Sequence, residues 1–360
     1  MTEQTRRLLD LYTDYLLVSF GATTATGLSR LVPEVSHDQI TRLLSQHPLT
    51  DKELWKIIKP QVRAVESLDA VLILDDSVQE KPYSDESELI TWHYDHSVGR
   101  TVKGVNLLSA LYYSAGVSLP VAFELIRKTV LETDAQTGKD KWVSPKTKNE
   151  MAREMVASVK SKHIPFRYVL ADVWFSSSEN MTFIKQSAKK EFIFPLKSNR
   201  RVALSEDDKK QGRWIKLSSL ALEPQTCVTL YLERVPFPVA VGRQVFKHED
   251  GTQGILELCC SDLSVSGSQI EAIYQKRWKV EEYHKSLKQN AAFAKSPTKL
   301  PHTQSNHFFA SIVAFCKLEA YKTATHLNHF ALKAKLYHTA LLSAFGHLQS
   351  LKTALPYPTA

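Results

Sequence analysis

The chain has 360 residues, of which 43% are hydrophobic, and a formal net charge of +8. This length can bury a sizeable core in two or three domains, and no apolar run reaches the length of about 18 residues that a membrane span needs. The four cysteines include no CxxC pair, which excludes a zinc ribbon and a disulfide framework. The composition therefore predicts a globular cytoplasmic protein, and its positive charge favours a polyanionic partner.

The amino-terminal 68 residues predict helices. Residues 26–36 and 37–45 form two short helical segments joined by a turn, and Ser36 is a suitable N-cap for the second. The arrangement resembles a helix-turn-helix, in which the second helix enters the DNA groove. Gln39 and Arg42 would then offer polar side chains to bases or phosphates. A small helical bundle without DNA-binding activity would give the same pattern.

Two strand-like apolar runs are each followed by acidic residues. Residues 71–74 precede Asp75 and Asp76, and residues 166–171 precede Asp172. Carboxylates are costly to bury unless they are paired, and a divalent cation is their usual partner in a site that handles phosphates. The first strand is apolar on both faces, so alternation does not reveal which of its two acids faces a metal. For Asp172, a turn residue without chemistry is the alternative.

Between these strands, residues 104–128 predict a hairpin that turns at Ala115-Gly116. The segment 79–103 before it is predicted to be a loop, in which Arg100 and Lys103 suit backbone phosphates.

Further along the chain, residues 197–264 contain strand-like runs separated by Pro and Gly, which predicts a β-rich insertion. From Glu281 onward the chain has nine Lys and Arg residues against three Glu. This carboxyl-terminal part is a candidate phosphate-binding surface.

Residues 274–288 form a run without Gly or Pro and predict one uninterrupted helix. At 100° per residue, four of its polar side chains share an arc of about 60°. These are Tyr274, Arg277, Glu281 and Lys288. A solvated amphipathic helix with scattered charges is the alternative.

The order and spacing of these four residues resemble the YREK signature of DDE transposases in the insertion-sequence family numbered four, which excises through DNA hairpins. The resemblance implies an α/β fold, with an RNase H-like mixed sheet flanked by helices, interrupted by a β-rich insertion and preceded by a helical DNA-binding domain. The implied segments are 1–68 (DNA-binding), 69–196 and 265–325 (catalytic core), 197–264 (insertion) and 326–360 (helical tail).

The resemblance also implies a catalytic site. Asp75, Asp172 and Glu281 would be the catalytic residues and would bind two Mg²⁺ ions, for which Mn²⁺ can substitute, with Asp76 as the alternative to Asp75. Tyr274, Arg277 and Lys288 would hold the DNA phosphates around an extruded base.

The implied activity is cut-and-paste transposition by nicking, hairpin formation and strand transfer. The partners would be double-stranded DNA, at the terminal inverted repeats and at the target, and a second copy of the chain in a synaptic homodimer. Such a protein would act in the bacterial cytoplasm, at the nucleoid. The alternative is a transposase-derived protein that binds specific DNA without cutting it. A glycoside hydrolase would use paired acids without the Arg, the Lys and the basic tail.

Overall fold

The computed structural model describes residues 1–95, 98–133, 138–247 and 251–353. Contacts divide the chain into two units, one of Met1–Leu49 with Lys285–Ala360 and the other of Thr50–His284. The division falls inside the helix Trp278–Asn290. The functional segments named above, with boundaries at residues 68, 196, 264 and 325, stay predictions.

The helices are α1 (Glu3–Val18), α2 (Ala25–Leu31), α3 (His37–Ser45), α4 (Asp51–Val65), α5 (Lys148–Ser161), α6 (Ser178–Thr182), α7 (Glu206–Lys210), α8 (Gly267–Tyr274), α9 (Trp278–Asn290), α10 (Pro301–Thr325) and α11 (His329–Thr353). The strands are β1 (Val71–Glu80), β2 (Thr91–Asp95), β3 (Arg100–Ser114), β4 (Val117–Leu125), β5 (Val130–Thr133), β6 (Asp140–Val143), β7 (Tyr168–Ala171), β8 (Glu191–Leu196), β9 (Arg201–Ala203), β10 (Ile215–Lys216), β11 (Cys227–Leu232), β12 (Pro238–Lys247) and β13 (Gln253–Cys260).

The first unit is helical, and α10 lies at its centre. Helices α1, α3 and α11 pack against α10, which is buried along most of its length. Asn306 on α10 donates from Nδ2 to the carbonyl oxygens of Leu44 and Gln46, both at 3.0 Å, and its Oδ1 accepts from the Leu49 N–H at 2.8 Å. One buried amide therefore fixes the chain where α3 ends.

The second unit is built on a mixed sheet whose central strands run in the order β4-β3-β1-β7-β8. Strand β1 is parallel to β7, and β7 is parallel to β8, whereas β1 is antiparallel to β3. Helices α4 and α5 pack against β4, and α8 packs against β8. These helices and this sheet confirm the predicted α/β class with a mixed sheet flanked by helices.

The predicted β-rich insertion continues the same sheet. Strand β13 pairs antiparallel with β8, and the order then continues through β12, β11, β9 and β10. Residues 197–264 therefore extend the central sheet by backbone hydrogen bonds.

The sequence predicts that the first strand ends at its acidic residues, and this prediction is wrong. Strand β1 continues through Asp75 and Asp76 to Glu80, because β3 pairs with it along its whole length. The segment 79–103 is also not a loop, since it contains β2, in which buried and exposed side chains alternate at the start. The polar composition of these segments does not indicate the extension of β1 or the presence of β2, because a strand with one solvated face carries polar residues at alternate positions.

The predicted hairpin at Ala115-Gly116 is confirmed by β3 and β4. Both turn residues have positive φ angles, 50° at Ala115 and 79° at Gly116, as a type I′ turn requires. An L-residue with a side chain pays about 1 kcal/mol or more in this region.

We therefore expect Ala115→Gly to raise the free energy of unfolding by about 0.5 to 1 kcal/mol, because glycine relieves this strain. Urea unfolding is the measurement. Gly116→Ala is the control and should lower the free energy of unfolding, although no atom lies within 4 Å of the added Cβ. A loss of stability on Ala115→Gly would contradict the turn assignment.

Among the described residues, no helix combines the length and the apolar character that crossing a membrane requires.

Candidate active site

Two acidic residues meet where the parallel pair β1 and β7 ends. The paired residues are 71–74 on β1 and 168–171 on β7, so Asp75 and Asp172 are the next residues on neighbouring strands. The carboxyl ends of parallel strands are where ligands bind in open α/β sheets. Both side chains are at least partly buried. Asp75 and Asp172, which the resemblance places in one site, therefore lie at neighbouring positions of the sheet.

Burial and like charges act on Asp75. Burial raises its pKa to about 8, the negative charge of Asp172 adds to the rise, and the positive charge of Arg277 opposes it. Burial also raises the pKa of Asp172, whose Oδ1 accepts a hydrogen bond from the Trp174 N–H at 3.0 Å. The two carboxylates therefore lie in a region whose electrostatics favour protons or cations.

Asp76 has partners of its own. Its Oδ2 accepts hydrogen bonds from Asn106 Nδ2 at 2.8 Å and from Lys148 Nζ at 2.7 Å. Its backbone N–H donates to Asp75 Oδ1 at 2.8 Å. Neighbouring residues of a strand point to opposite faces. The charge of Asp76 is thus balanced by Lys148, at the start of α5.

The prediction of one uninterrupted helix over residues 274–288, which carries the third acid, is wrong. Helix α8 ends at Tyr274, a 3₁₀ turn spans Gln275–Arg277, and α9 begins at Trp278. A 3₁₀ turn has three residues per turn, so the common arc calculated for an ideal helix does not hold across it.

The start of α9 nevertheless brings Glu281 to Asp75. One ligand atom each from Asp75, Glu281 and His284 lie within 4.8 Å of one another. Arg277 Nη1 lies 3.3 Å from Asp75 Oδ2 and 3.3 Å from Glu281 Oε1. The site thus combines carboxylates, an imidazole and a guanidinium.

Sequence reasoning did not identify His284 or Lys148 as site residues. A signal existed for His284, because residues three apart lie on the same face of a helix, and His284 follows Glu281 by three. No comparable signal existed for Lys148, since its proximity to Asp76 depends on how α5 packs against the sheet.

The four residues of the helical motif have different surroundings. Tyr274 donates from its hydroxyl to the carbonyl oxygen of Ala171 at 3.3 Å, next to Asp172, and burial raises its pKa. Lys288 is half-buried and lies on α9 beyond the division at His284.

The predicted phosphate-binding residues of β3 lie away from Asp75. Ser109 is opposite Asp75 in the β1–β3 pair, and six residues along a strand separate Ser109 from Lys103, which corresponds to about 20 Å. Arg100 lies further along and pairs with Glu80, with Nη2 2.9 Å from Oε1. The structure therefore does not bring these two cations to the acidic cluster.

In the helical unit, the predicted N-cap of α3 is confirmed. Ser36 Oγ accepts from the Gln39 N–H at 3.3 Å, and Gln39 Oε1 accepts from the Ser36 N–H at 2.8 Å. The amide oxygen of Gln39 is therefore engaged in a capping box. Arg42 is exposed on the same helix, with Nε 3.3 Å from the Asp38 carbonyl oxygen.

A cavity of about 430 Å³ opens beside the Asp172 turn. Trp174 lines it and has 51% of its surface exposed. The basic residues of its wall are Lys197, Arg200, Arg201 and Arg234, and the acidic ones are Glu179 and Glu233. Arg201 pairs with Glu233 at 3.2 Å, and the cavity keeps an excess of positive charge.

The donor set fits a divalent cation. Carboxylate oxygens are the ligands that Mg²⁺ and Mn²⁺ prefer, and an imidazole nitrogen is also suited to transition metals. The raised pKa of Asp75 has mutual repulsion of carboxylates among its causes, which a cation would relieve. Asp75, Glu281 and His284 would hold one ion, and Asp172 lies next to Asp75 for a second.

Comparison with solved structures returns the strand transfer complex of the Drosophila P element transposase, at 8% identity and a TM-score of 0.26, covering 100% of this chain and 89% of that chain. So low a TM-score supports no argument. No curated protein matches the chain at a significant level.

The model of the DDE superfamily endonucleases matches residues 1–242. The matched residues include Asp75 and Asp172, and they end before Glu281. Since the match covers well over half of the 360 residues, the chain belongs to the DDE superfamily endonucleases.

Proposed function

We propose that this protein is a DNA transposase that uses Asp75, Asp172 and Glu281 to cut and join DNA strands with two divalent cations. The observation that carries the proposal is the approach of Glu281 to Asp75, beside Asp172, in a chain of an endonuclease family. These residues come from two strands and a helix that are far apart in sequence. The reaction is proposed to proceed by nicking, hairpin formation and strand transfer.

Each residue has a defined contribution in this proposal. Bound divalent cations in such a site activate the attacking hydroxyl and stabilise the leaving oxygen of an in-line displacement. Asp172 and Glu281 both act electrostatically on Asp75, so Asp75 would help to hold the ions together with each of them. His284 would add a nitrogen ligand, which suits a transition metal such as Mn²⁺ better than Mg²⁺. Tyr274 orients the end of β7 through its hydrogen bond to Ala171.

The cavity beside Asp172 supports a path for the DNA strand. Its basic residues suit phosphates, and the exposed ring of Trp174 suits stacking on a base. Lys103 and Arg100 would contact the duplex further from the cut, because they lie about 20 Å or more along β3 from the acids. Lys288 is proposed to bind a phosphate, as the signature implies.

We propose that α3 reads the transposon ends, with Arg42 as its main contact. Gln39 is a weaker candidate, because pairing with adenine would require the amide oxygen that now caps the helix. Deleting residues 1–68 would remove α1 and α3, which pack against α10, and so would disturb the fold. A point substitution such as Arg42→Ala is therefore the better test of DNA reading. A synaptic homodimer is part of the proposal.

The test is cleavage of end-labelled DNA that carries the element's own ends, in Mg²⁺ and in Mn²⁺, on a denaturing gel. We expect Glu281→Ala to abolish every step, including the first nick, because it removes a metal ligand. Glu282→Ala is the matched control. Glu282 is exposed and pairs with Lys279 at 2.8 Å, so this variant should keep most of the activity.

Undiminished nicking by Glu281→Ala would contradict the assignment of the third acid. Absence of cleavage by the wild-type protein in either metal, with specific binding retained, would instead favour a transposase-derived DNA-binding protein. The same gel tests the finer mechanism, since a hairpin runs at about twice the strand length. Double-strand cutting without a hairpin at any time would exclude the hairpin route.

A further inference from the structure

Arg277 lies between two carboxylates to which the proposed function assigns a metal ion. Its Nη1 is 3.3 Å from Asp75 Oδ2 and 3.3 Å from Glu281 Oε1, and its Nη2 is also 3.3 Å from that glutamate oxygen. Only 18% of the Arg277 side chain is exposed. Charges interact more strongly when they are shielded from water. The guanidinium therefore occupies the position between the two carboxyl groups.

The same oxygens cannot serve a guanidinium and a metal ion equally well at one time. A divalent cation binds carboxylate oxygens at about 2.0 to 2.6 Å and needs the lone pairs that now face Arg277. The two positive charges would also repel each other at this separation. Metal binding through Asp75 Oδ2 and Glu281 Oε1 thus requires the guanidinium to turn away.

We propose that Arg277 blocks this metal position until a DNA phosphate draws its guanidinium away, so that metal and DNA bind cooperatively. The inference rests on the proposed function and concerns the regulation of the same site. A guanidinium binds phosphate with two parallel hydrogen bonds, a geometry at least as favourable as its present long contacts. By linkage, DNA raises the metal affinity by the factor by which metal raises the DNA affinity.

The first experiment measures Mn²⁺ binding to the full-length chain without DNA, by electron paramagnetic resonance of the free ion. We expect Arg277→Met to bind Mn²⁺ about tenfold more tightly than the wild type, within the usual range of coupling between sites. Lys148→Met is the matched control. It also removes one positive charge near the site, but Lys148 pairs with Asp76 at 2.7 Å and does not bridge the other acids. Its Mn²⁺ affinity should change far less.

The second experiment repeats the titration with a random-sequence duplex, which carries phosphates but not the transposon ends, after subtracting Mn²⁺ bound by the DNA alone. We expect the duplex to raise the Mn²⁺ affinity of the wild type and to leave that of Arg277→Met nearly unchanged. Circular dichroism verifies that each variant is folded.

The outcomes separate this inference from the proposed function. Equal Mn²⁺ affinities of wild type and Arg277→Met would overturn the inference. An equal gain in Mn²⁺ affinity in Lys148→Met would also overturn it, because net charge would then account for the effect. Metal-dependent cleavage would leave the proposed function intact in both cases. Absence of Mn²⁺ binding by wild type and Arg277→Met alike would overturn the metal site and, with it, the inference.

Discussion

Replacing Asp75 with Asn should lower the rate of metal-dependent DNA cleavage by about 10³-fold or more, the scale seen when a central catalytic group is removed. The neutral amide loses the charge that would help to hold the ions, and it leaves Arg277 without one of its two acidic partners. The measurement is the initial rate of nicking of end-labelled DNA at saturating Mg²⁺.

Asp76→Asn is the matched control on the next residue. Asn106 and Lys148 hold the Asp76 carboxylate, so this substitution should cost about 1 kcal/mol of stability through the weakened ion pair and should lower the cleavage rate far less. Urea unfolding of both variants separates the two effects. If Asp76→Asn is the more damaging to cleavage, Asp76 is the ligand and the role of Asp75 is wrong.

The free energy of unfolding of the metal-free protein should fall as the pH rises from about 6.5 to about 8. The pKa of Asp75 is raised from its ordinary value of 3.8 to about 8 in the folded protein, so the folded state binds a proton that the unfolded state releases. This contribution is fully present below pH 3.8 and is lost as the pH passes through the folded value. Its size is several kcal/mol, since one pKa unit corresponds to about 1.4 kcal/mol.

Urea unfolding between about pH 6.5 and pH 8 in the presence of a chelator measures this slope. Asp75→Asn should flatten it, because the titrating group is gone. Saturating Mn²⁺ should also remove it, since the ion displaces the proton and favours the folded state as the pH rises. Two groups have the opposite effect at lower pH. Burial lowers the pKa of His93 from 6.5 to about 4, and hydrogen bonds from Ser264, Tyr168 and Arg167 lower the pKa of Asp262. A wild-type slope that Asp75→Asn leaves unchanged would refute the assignment.

The sequence was informative where a pattern is local. The apolar runs before Asp75 and Asp172 indicate buried strands, whereas the pairing of these strands in one sheet is implied only by the family resemblance. The turn at Ala115-Gly116 and the N-cap at Ser36 are local signals in the same sense, because each is satisfied within four residues. These features could be predicted without knowing the rest of the fold.

Other features depend on partners distant in sequence. The extension of β1 past its acids requires β3, and the pairing of Asp76 with Lys148 requires the docking of α5 on the sheet. The 3₁₀ turn before α9 interrupts a run that contains neither Gly nor Pro, so the composition of the run does not indicate the turn. The spacing of His284 from Glu281 places both on one face of a helix, but the approach of His284 to Asp75 depends on how α9 lies against β1.

Strand β8 has backbone partners on both sides, β7 on one and β13 on the other. Excising residues 197–264 would therefore uncover a row of unpaired N–H and C=O groups in the middle of the molecule, next to the apolar side chains of Phe192 and Phe194, which are fully buried. An exposed, apolar edge strand is a template for aggregation. Engineers who want a smaller enzyme should leave the insertion in place and shorten the chain elsewhere. Attachment of a fluorophore or a tether is better suited to Gly21, which is exposed and where no atom lies within 4 Å of an added Cβ.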